Sequence, residues 1–276
     1  MCYKHTDTDY KLLQQQYKNG LEIVKKDDFF KKYTEEKWRH SMQVAGAGNY
    51  IIKRIKWLQN KDEKYIRMVK SAVLLHDVCR FTEIVYKLKQ KGKYDHGVGA
   101  SELLRNMPQF CDIRIWLPIK HHGHIIEKLY EDEEYQQIED DKLRDEVKKI
   151  CFIIRDADKI ANLNMMIREK NVLPLFLGKE NFVPEVDGIV SEMVRQTAFS
   201  GTTTPRSEDS GVADRMIGYL SWFTDINYRY SIEYCQKLGV IQAMLRMLDE
   251  YCIDQAFKTR FKQYISDFIN THEYLE

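Results

Sequence analysis

Only five prolines are spread over 276 residues, and almost no stretch alternates apolar with polar residues at period two. A chain so short of breakers and of strand patterning is expected to be nearly all helix. No segment approaches the roughly 20 apolar residues of a membrane span, and Met1 to Gly20 is polar with no apolar leader core, so neither membrane insertion nor secretion is expected. Charge of one sign is also missing, with 43 Lys and Arg against 42 Asp and Glu. Such a balance gives no field to hold a nucleic-acid polymer and points to a small ligand instead. The six cysteines, Cys2, Cys79, Cys111, Cys151, Cys235 and Cys252, include no close pair. That argues against a disulfide framework or a zinc knuckle, and for thiols in a reducing, cytoplasmic setting.

What is present is helical periodicity, in a chain long enough to bury a core without staples. Between Tyr33 and Asn60 the positions His40, Val44, Ala47, Ile51, Ile55 and Leu58 form one stripe, and from Glu63 to Arg80 so do Val69, Ala72, Val73 and His76. Both histidines are therefore expected on inward faces. A Lys- and Gly-containing loop, Lys87 to Tyr94, precedes short helices expected near His96 to Arg105 and from Asp112 to Lys120, the latter running into His121 and His122. The acidic run Glu131 to Glu146 is expected to be a solvated loop and first helical turn. A long helix follows, with Val147, Ile150, Ile154 and Ala157 inward and Asp158 at the edge of the stripe.

Past Lys170, Pro174, Gly178, Pro184 and Gly188 mark a connector, and Ser200 to Gly211 is a polar segment whose composition suggests mobility. The expected organisation is a metal-binding helical core over residues 1–170 and a C-terminal helical cap over 171–276, parts of one globular unit. The aromatics Tyr219, Trp222, Phe223, Tyr228, Tyr230 and Tyr234 are expected to pack a core. Tyr228 to Tyr230 has two readings, a lid over the site or plain structure.

A single histidine on an apolar face is ordinarily a hydrogen-bonded core residue. Here the set matters: His40 and His76 come from separate helices, Asp77 adjoins His76, and His96, His122 and Asp158 follow on further elements. Imidazole suits Zn, Fe, Mn, Co or Ni and carboxylate suits harder cations, so a mixed shell is expected to hold one or two divalent transition ions with positions open to water. A purely structural site would use cysteines, and none has the spacing. Asp77 can reach the same ion as His76 or bridge two ions.

This pattern resembles the HD superfamily of metal-dependent phosphohydrolases: an isolated His (His40), a His-Asp pair (His76-Asp77 within Leu74-Leu75-His76-Asp77-Val78-Cys79-Arg80-Phe81), and a later Asp (Asp158 within Arg155-Asp156-Ala157-Asp158-Lys159-Ile160). The resemblance covers about residues 35 to 165 and implies an all-α HD-domain bundle carrying a C-terminal helical extension. It favours Asp158 over Asp156 as the last ligand, because the family's ligand follows a small residue and precedes a basic one. Asp156 is then behind the ligands, or is a surface residue or partner of Arg155. Asp95-His96-Gly97-Val98-Gly99-Ala100 and Ile119-Lys120-His121-His122-Gly123 are similar to the extra histidines of two-metal members, so His96 and His122 would supply a second ion and Asp77 would bridge. In single-metal members such histidines bind phosphate or act as acids. His121 has three readings, a further ligand, an acid at the leaving group, or a helix-end residue; His5 and His124 read as surface histidines.

The resemblance implies hydrolysis of a phosphoester or pyrophosphate bond in a nucleotide or other small phosphorylated metabolite by metal-activated water, with Asp77, His121 and Lys159 in catalytic roles. Arg80, Lys159 and Asn162 are the expected substrate contacts, the first two otherwise being plain ion-pair partners. Ala157 to Asn162 is similar to the branch acting on alarmone nucleotides, but where that branch has an acidic pair this chain has only Glu83 near its His-Asp motif. Two other classes share the ligand set: a di-iron oxygenase of the same fold, and a nucleotide-sensing regulatory module. A homo-oligomer is compatible with everything above.

Overall fold

The computed structural model describes residues 8–169, 173–178, 181–205 and 210–276. Among them every regular element is helical, apart from one isolated bridge between Tyr228 and Leu275. The protein is all-α. No helix among the described residues is long and apolar enough to cross a membrane. The chain divides into two compact units, Met1–Asp158 and Lys159–Glu276. The division falls inside the helix Asp141–Arg168, upstream of the Pro- and Gly-marked connector.

The first unit contains α1 (Thr8–Val24), α2 (Asp28–Ile52), α3 (Lys56–Gln59), α4 (Glu63–Leu75), α5 (Arg80–Leu88), α6 (His96–Arg105), α7 (Ile113–His121), α8 (Glu127–Tyr130), α9 (Glu133–Gln136) and most of α10 (Asp141–Arg168). Aspartate starts at least five of these ten. Asp27, Asp62, Asp95, Asp112 and Asp132 each accept hydrogen bonds from the first free backbone N–H groups of α2, α4, α6, α7 and α9, and each such cap stabilises by about 1 kcal/mol. The helices then bury their apolar stripes: α2 lies on α1 and α4, and α7 lies on α4 and α6. Val44, Ile51, Val69, Val73, Leu104 and Leu117 are almost wholly buried, a gain of about 1.5–3 kcal/mol for each large side chain.

Two glycines set how closely these helices approach. A Cβ on Gly48 would stand 2.5 Å from Val73 Cγ1, and a Cβ on Gly97 would stand 2.7 Å from the carbonyl oxygen of Lys120. The first close approach lets α2 bring His40 up to His76; the second seats the start of α6 against the end of α7 and so brings His96 up to His122.

Several sequence expectations are corrected here. The stripe from Tyr33 to Asn60 is not one helix: α2 ends at Ile52, and Ile55 is extended (ψ 123°) before the short α3. The stripe from Glu63 to Arg80 is broken too, since α4 ends at Leu75, His76–Cys79 form a turn, and Arg80 opens α5. Neighbours on a helix point about 100° apart, so only a turn lets His76 and Asp77 both face one site. The acidic run is not all solvated either: it contains α9, and Glu146 is buried between Lys61 (2.6 Å) and Arg114 (3.0 Å).

The second unit holds the end of α10, then α11 (Leu173–Leu177), α12 (Pro184–Asp187), α13 (Glu192–Thr197), α14 (Val212–Leu220), a 3-10 turn over Ser221–Asp225, α15 (Arg229–Leu238), α16 (Val240–Tyr251) and α17 (Gln255–Thr271). Here α14 and α15 both pack on α16. Tyr219, Phe223 and Tyr228 are buried and Trp222, Tyr230 and Tyr234 half-buried, so the aromatics pack a core as expected. Tyr228 is fully buried at the start of α15, which favours the structural reading of Tyr228 to Tyr230. Within the polar segment Ser200 to Gly211, residues 206–209 lie outside the described residues, while Thr204 is buried and its N–H donates to Ser221 Oγ (2.8 Å).

Candidate metal centre

His40 projects from the middle of α2, His76 and Asp77 from the turn after α4, His96 from the first residue of α6, His122 from the residue after α7, and Asp158 from α10. The fold collects all six. Their donor atoms form two groups, His40 with His76 and Asp77, and Asp77 with His96 and His122; within each group the donors lie within 4.8 Å of one another, as an ion requires. Asp158 joins the first group, its Oδ1 standing 2.8 Å from His40 Nε2 and 3.9 Å from His76 Nε2.

Asp77 belongs to both groups and turns one oxygen to each. Its Oδ2 lies 3.8 and 3.7 Å from Nε2 of His40 and His76, whereas Oδ1 lies 3.1 and 3.6 Å from Nε2 of His96 and His122. The distances exceed ligand bond lengths because they run between ligands rather than to an ion.

Local structure also decides which ring nitrogen of His76, His96 and His122 faces Asp77. His76 Nδ1 lies 2.8 Å from the Val73 carbonyl and His122 Nδ1 lies 2.7 Å from that of Ile119, carbonyls in the last turns of α4 and α7. His96 Nδ1 lies 3.0 Å from Glu83 Oε2. Each Nδ1 is therefore a donor, which turns Nε2 of each of these rings toward Asp77. Orienting a metal-binding imidazole through its other nitrogen in this way is how proteins fix the tautomer a metal needs.

The buried polar atoms test whether a cation fits. His76 Nε2 is wholly buried with no hydrogen-bond partner, and His40 Nε2 is buried 2.8 Å from Asp158 Oδ1. Nε2 of His96 and of His122 stand 3.3 Å apart, and Arg80 Nη2 lies 2.7 Å from the former. An unsatisfied buried polar group costs about 1–3 kcal/mol. A divalent ion among these atoms removes that cost, so the residues fit one.

Electrostatics agree. Burial alone pushes the Asp77 carboxyl up, but Arg80, His76 and His96 outweigh it and hold it well below the usual carboxylate range. Burial likewise raises Asp158, and His40 and His76 overcome it and hold it low. Burial depresses His40, and it pushes His76 down to about 3 against the pull of Asp77. Burial lowers His96 as well, but Asp77 and Glu83 outweigh it and raise it above its ordinary value; carboxylates beside imidazoles form a metal-accepting set once the imidazoles are deprotonated.

The other residues singled out from sequence fall elsewhere. His121 belongs to neither group; its Nε2 is 2.7 Å from Asp132 Oδ2, which Lys120 also contacts at 2.7 Å. Lys159 is buried with its Nζ 2.8 Å from Asp225 Oδ2, and Asn162 is half-buried on the same helix. Asp156 is fully buried, which removes the surface reading. Exposed His124 lies 3.2 Å from Asp95, and His5 lies outside the described residues. The five described cysteines are free thiols. Arg80 does reach the site, with Nη2 2.7 Å from His96 Nε2 and 3.2 Å from Asp77 Oδ1.

Sequence reasoning gave no role to Glu83, which anchors both His96 and Arg80; its spacing of three from Arg80 on one helix face was the available signal. It also missed Arg155, whose guanidinium donates to the carbonyl oxygens of His122 and His124 and so secures the end of α7.

A cavity of about 520 Å³ adjoins the second group, lined by Arg80, Glu83, Lys87, Lys93, His96 and Lys120 among others. A larger one, about 740 Å³ and lined by Tyr65, Arg67, Cys111 and Arg114, includes none of the cluster residues. Of these two cavities, the smaller is the one that adjoins the candidate metal centre.

No protein-family model matches the chain, and neither a curated protein nor a solved structure shows significant similarity to it.

Proposed function

We propose that the protein is a metal-dependent phosphohydrolase that cleaves a phosphoester or pyrophosphate bond of a nucleotide or other small phosphorylated metabolite. The observation that carries this reading is the position of Asp77, one carboxylate shared by two histidine groups with one oxygen turned to each. A divalent transition ion in such a centre, Mn, Fe, Co, Ni or Zn, supplies Lewis acidity and activates water for in-line displacement at phosphorus. The resemblance to the HD superfamily in the motif around His40, His76-Asp77 and Asp158 supports the same chemistry.

The chain's own residues bind and orient the substrate. The cavity has the size of a small-metabolite site, and its rim carries Lys87 and Lys93, the latter exposed and without an ion pair among the described residues. These cations draw in the phosphate, and Arg80 offers it a planar fork. Lys159 stays with Asp225. Because Asp132 holds His121 Nε2, solvent rather than His121 protonates the leaving oxygen.

The test is phosphate or pyrophosphate release from a panel of small phosphorylated compounds with Mn²⁺ or Co²⁺, for the native protein and Asp77→Ala. Metal-dependent release that Asp77→Ala abolishes together with metal content is expected. Full turnover by Asp77→Ala, oxygen uptake in place of phosphate release, or nucleotide binding without turnover would overturn the proposal.

A further inference from the structure

The two donor groups share Asp77 but are not equivalent. In the first, His76 Nε2 has no hydrogen-bond donor and lies in a fully buried position. In the second, a cation of the protein's own is already among the donors. Arg80 Nη2 stands 2.7 Å from His96 Nε2 and 3.2 Å from Asp77 Oδ1, Nε lies 3.3 Å from both Asp77 oxygens, and Nη1 lies 2.6 Å from Glu83 Oε2.

Lone-pair counting makes this arrangement exclusive. His96 spends Nδ1 on Glu83 and keeps one lone pair, on Nε2. That lone pair accepts from Arg80 or binds an ion, but not both. The charge balance runs the same way: Asp77 and Glu83 face the guanidinium, and adding a dication without moving it would place like charges within one side chain of each other.

We propose that Arg80 is an internal stand-in for the second ion, so that the two groups fill in order: the first binds its ion outright, and the second binds only when Arg80 swings out of it. The cavity beside the second group, lined by Arg80 itself, gives the guanidinium somewhere to go, and an anion bound there beside Lys87 and Lys93 would draw it out. Substrate phosphate would then complete the centre that cleaves it. This rests on the cluster being a metal centre and does not depend on which bond is cleaved.

The test is calorimetric titration of the metal-free protein with Mn²⁺ or Co²⁺, with bound metal counted by elemental analysis, for the native protein, Arg80→Gln, Arg80→Lys and His96→Gln. The native protein should bind one ion tightly and a second at least tenfold more weakly. Arg80→Gln should tighten the second step at least tenfold and leave the first unchanged, whereas Arg80→Lys, which keeps the charge but loses the fork, should fall between them. His96→Gln should remove the second step alone. Inorganic phosphate should tighten the second step in the native protein and not in Arg80→Gln.

Two equally tight ions in the native protein, or an unchanged or weaker second step in both Arg80 variants, would overturn the role of Arg80 and leave the metal centre standing. Absence of any bound metal in the native protein would overturn both. The Lys variant keeps the charge inside the fold, so the comparison survives if Arg80→Gln is unstable.

Discussion

His76 Nδ1 lies 2.8 Å from the carbonyl oxygen of Val73, and His122 repeats the contact with Ile119 at 2.7 Å. In both cases the histidine caps the helix that precedes it, so one hydrogen bond engages a last-turn carbonyl and aims Nε2 at Asp77. His76→Asn separates the two roles, since the Asn amide can still donate to Val73 but carries no atom in place of Nε2. It should lose metal at the first group by 100-fold or more while melting close to the native protein. Elemental analysis and thermal denaturation of one preparation read both.

Gly97 should be intolerant of a side chain. Its Cβ would meet the Lys120 carbonyl at 2.7 Å and that of Ile119 at 3.1 Å, both backbone atoms that cannot turn aside. Gly97→Ala should destabilise by about 1–3 kcal/mol and push His96 away from His122, weakening metal at the second group more than at the first. Denaturant unfolding and metal titration check the two parts.

Glu146 gives a pH signature away from the candidate metal centre. Burial raises its carboxyl, but Lys61, Tyr65 and Arg114 outweigh burial and hold it below the ordinary 4.5. A carboxyl lowered by folding contributes stability that is complete above about 4.5 and is lost as pH falls through the lowered folded value. Glu146→Gln should therefore cost about 1–3 kcal/mol near pH 7, and the difference from the native protein should shrink as pH falls below 4.5. Unfolding curves at pH 7, 5 and 3.5 measure it.

Lys93 should act on substrate capture alone. It is exposed at the cavity rim and takes no part in either donor group. Lys93→Gln should raise KM about 3- to 10-fold at low ionic strength, with kcat and metal content unchanged and the effect fading as salt screens the charge. Steady-state kinetics at two salt concentrations decide it.

The helical class, the inward placement of His40 and His76 and the six clustered residues were legible in the sequence, because helical period and residue chemistry both survive in one dimension. The turn at His76–Cys79 was not, since Val78 and Phe81 continue an apolar pattern and no Gly or Pro marks the break. Partner choice was equally hidden. Lys159 follows a cluster residue in the chain yet bonds Asp225, and Glu146 sits in a run of acids yet is buried against Lys61 and Arg114. Such pairings depend on which helices meet, which adjacency in sequence does not encode.

An anomalous-scattering map from crystals of protein loaded with Mn²⁺ or Co²⁺ tests the metal centre most directly. A full-occupancy peak is expected among His40, His76, Asp77 and Asp158, and a weaker or absent one beside His96 and His122 while Arg80 keeps its place. A map with no peak among the first four residues, from protein shown to be folded, would contradict it.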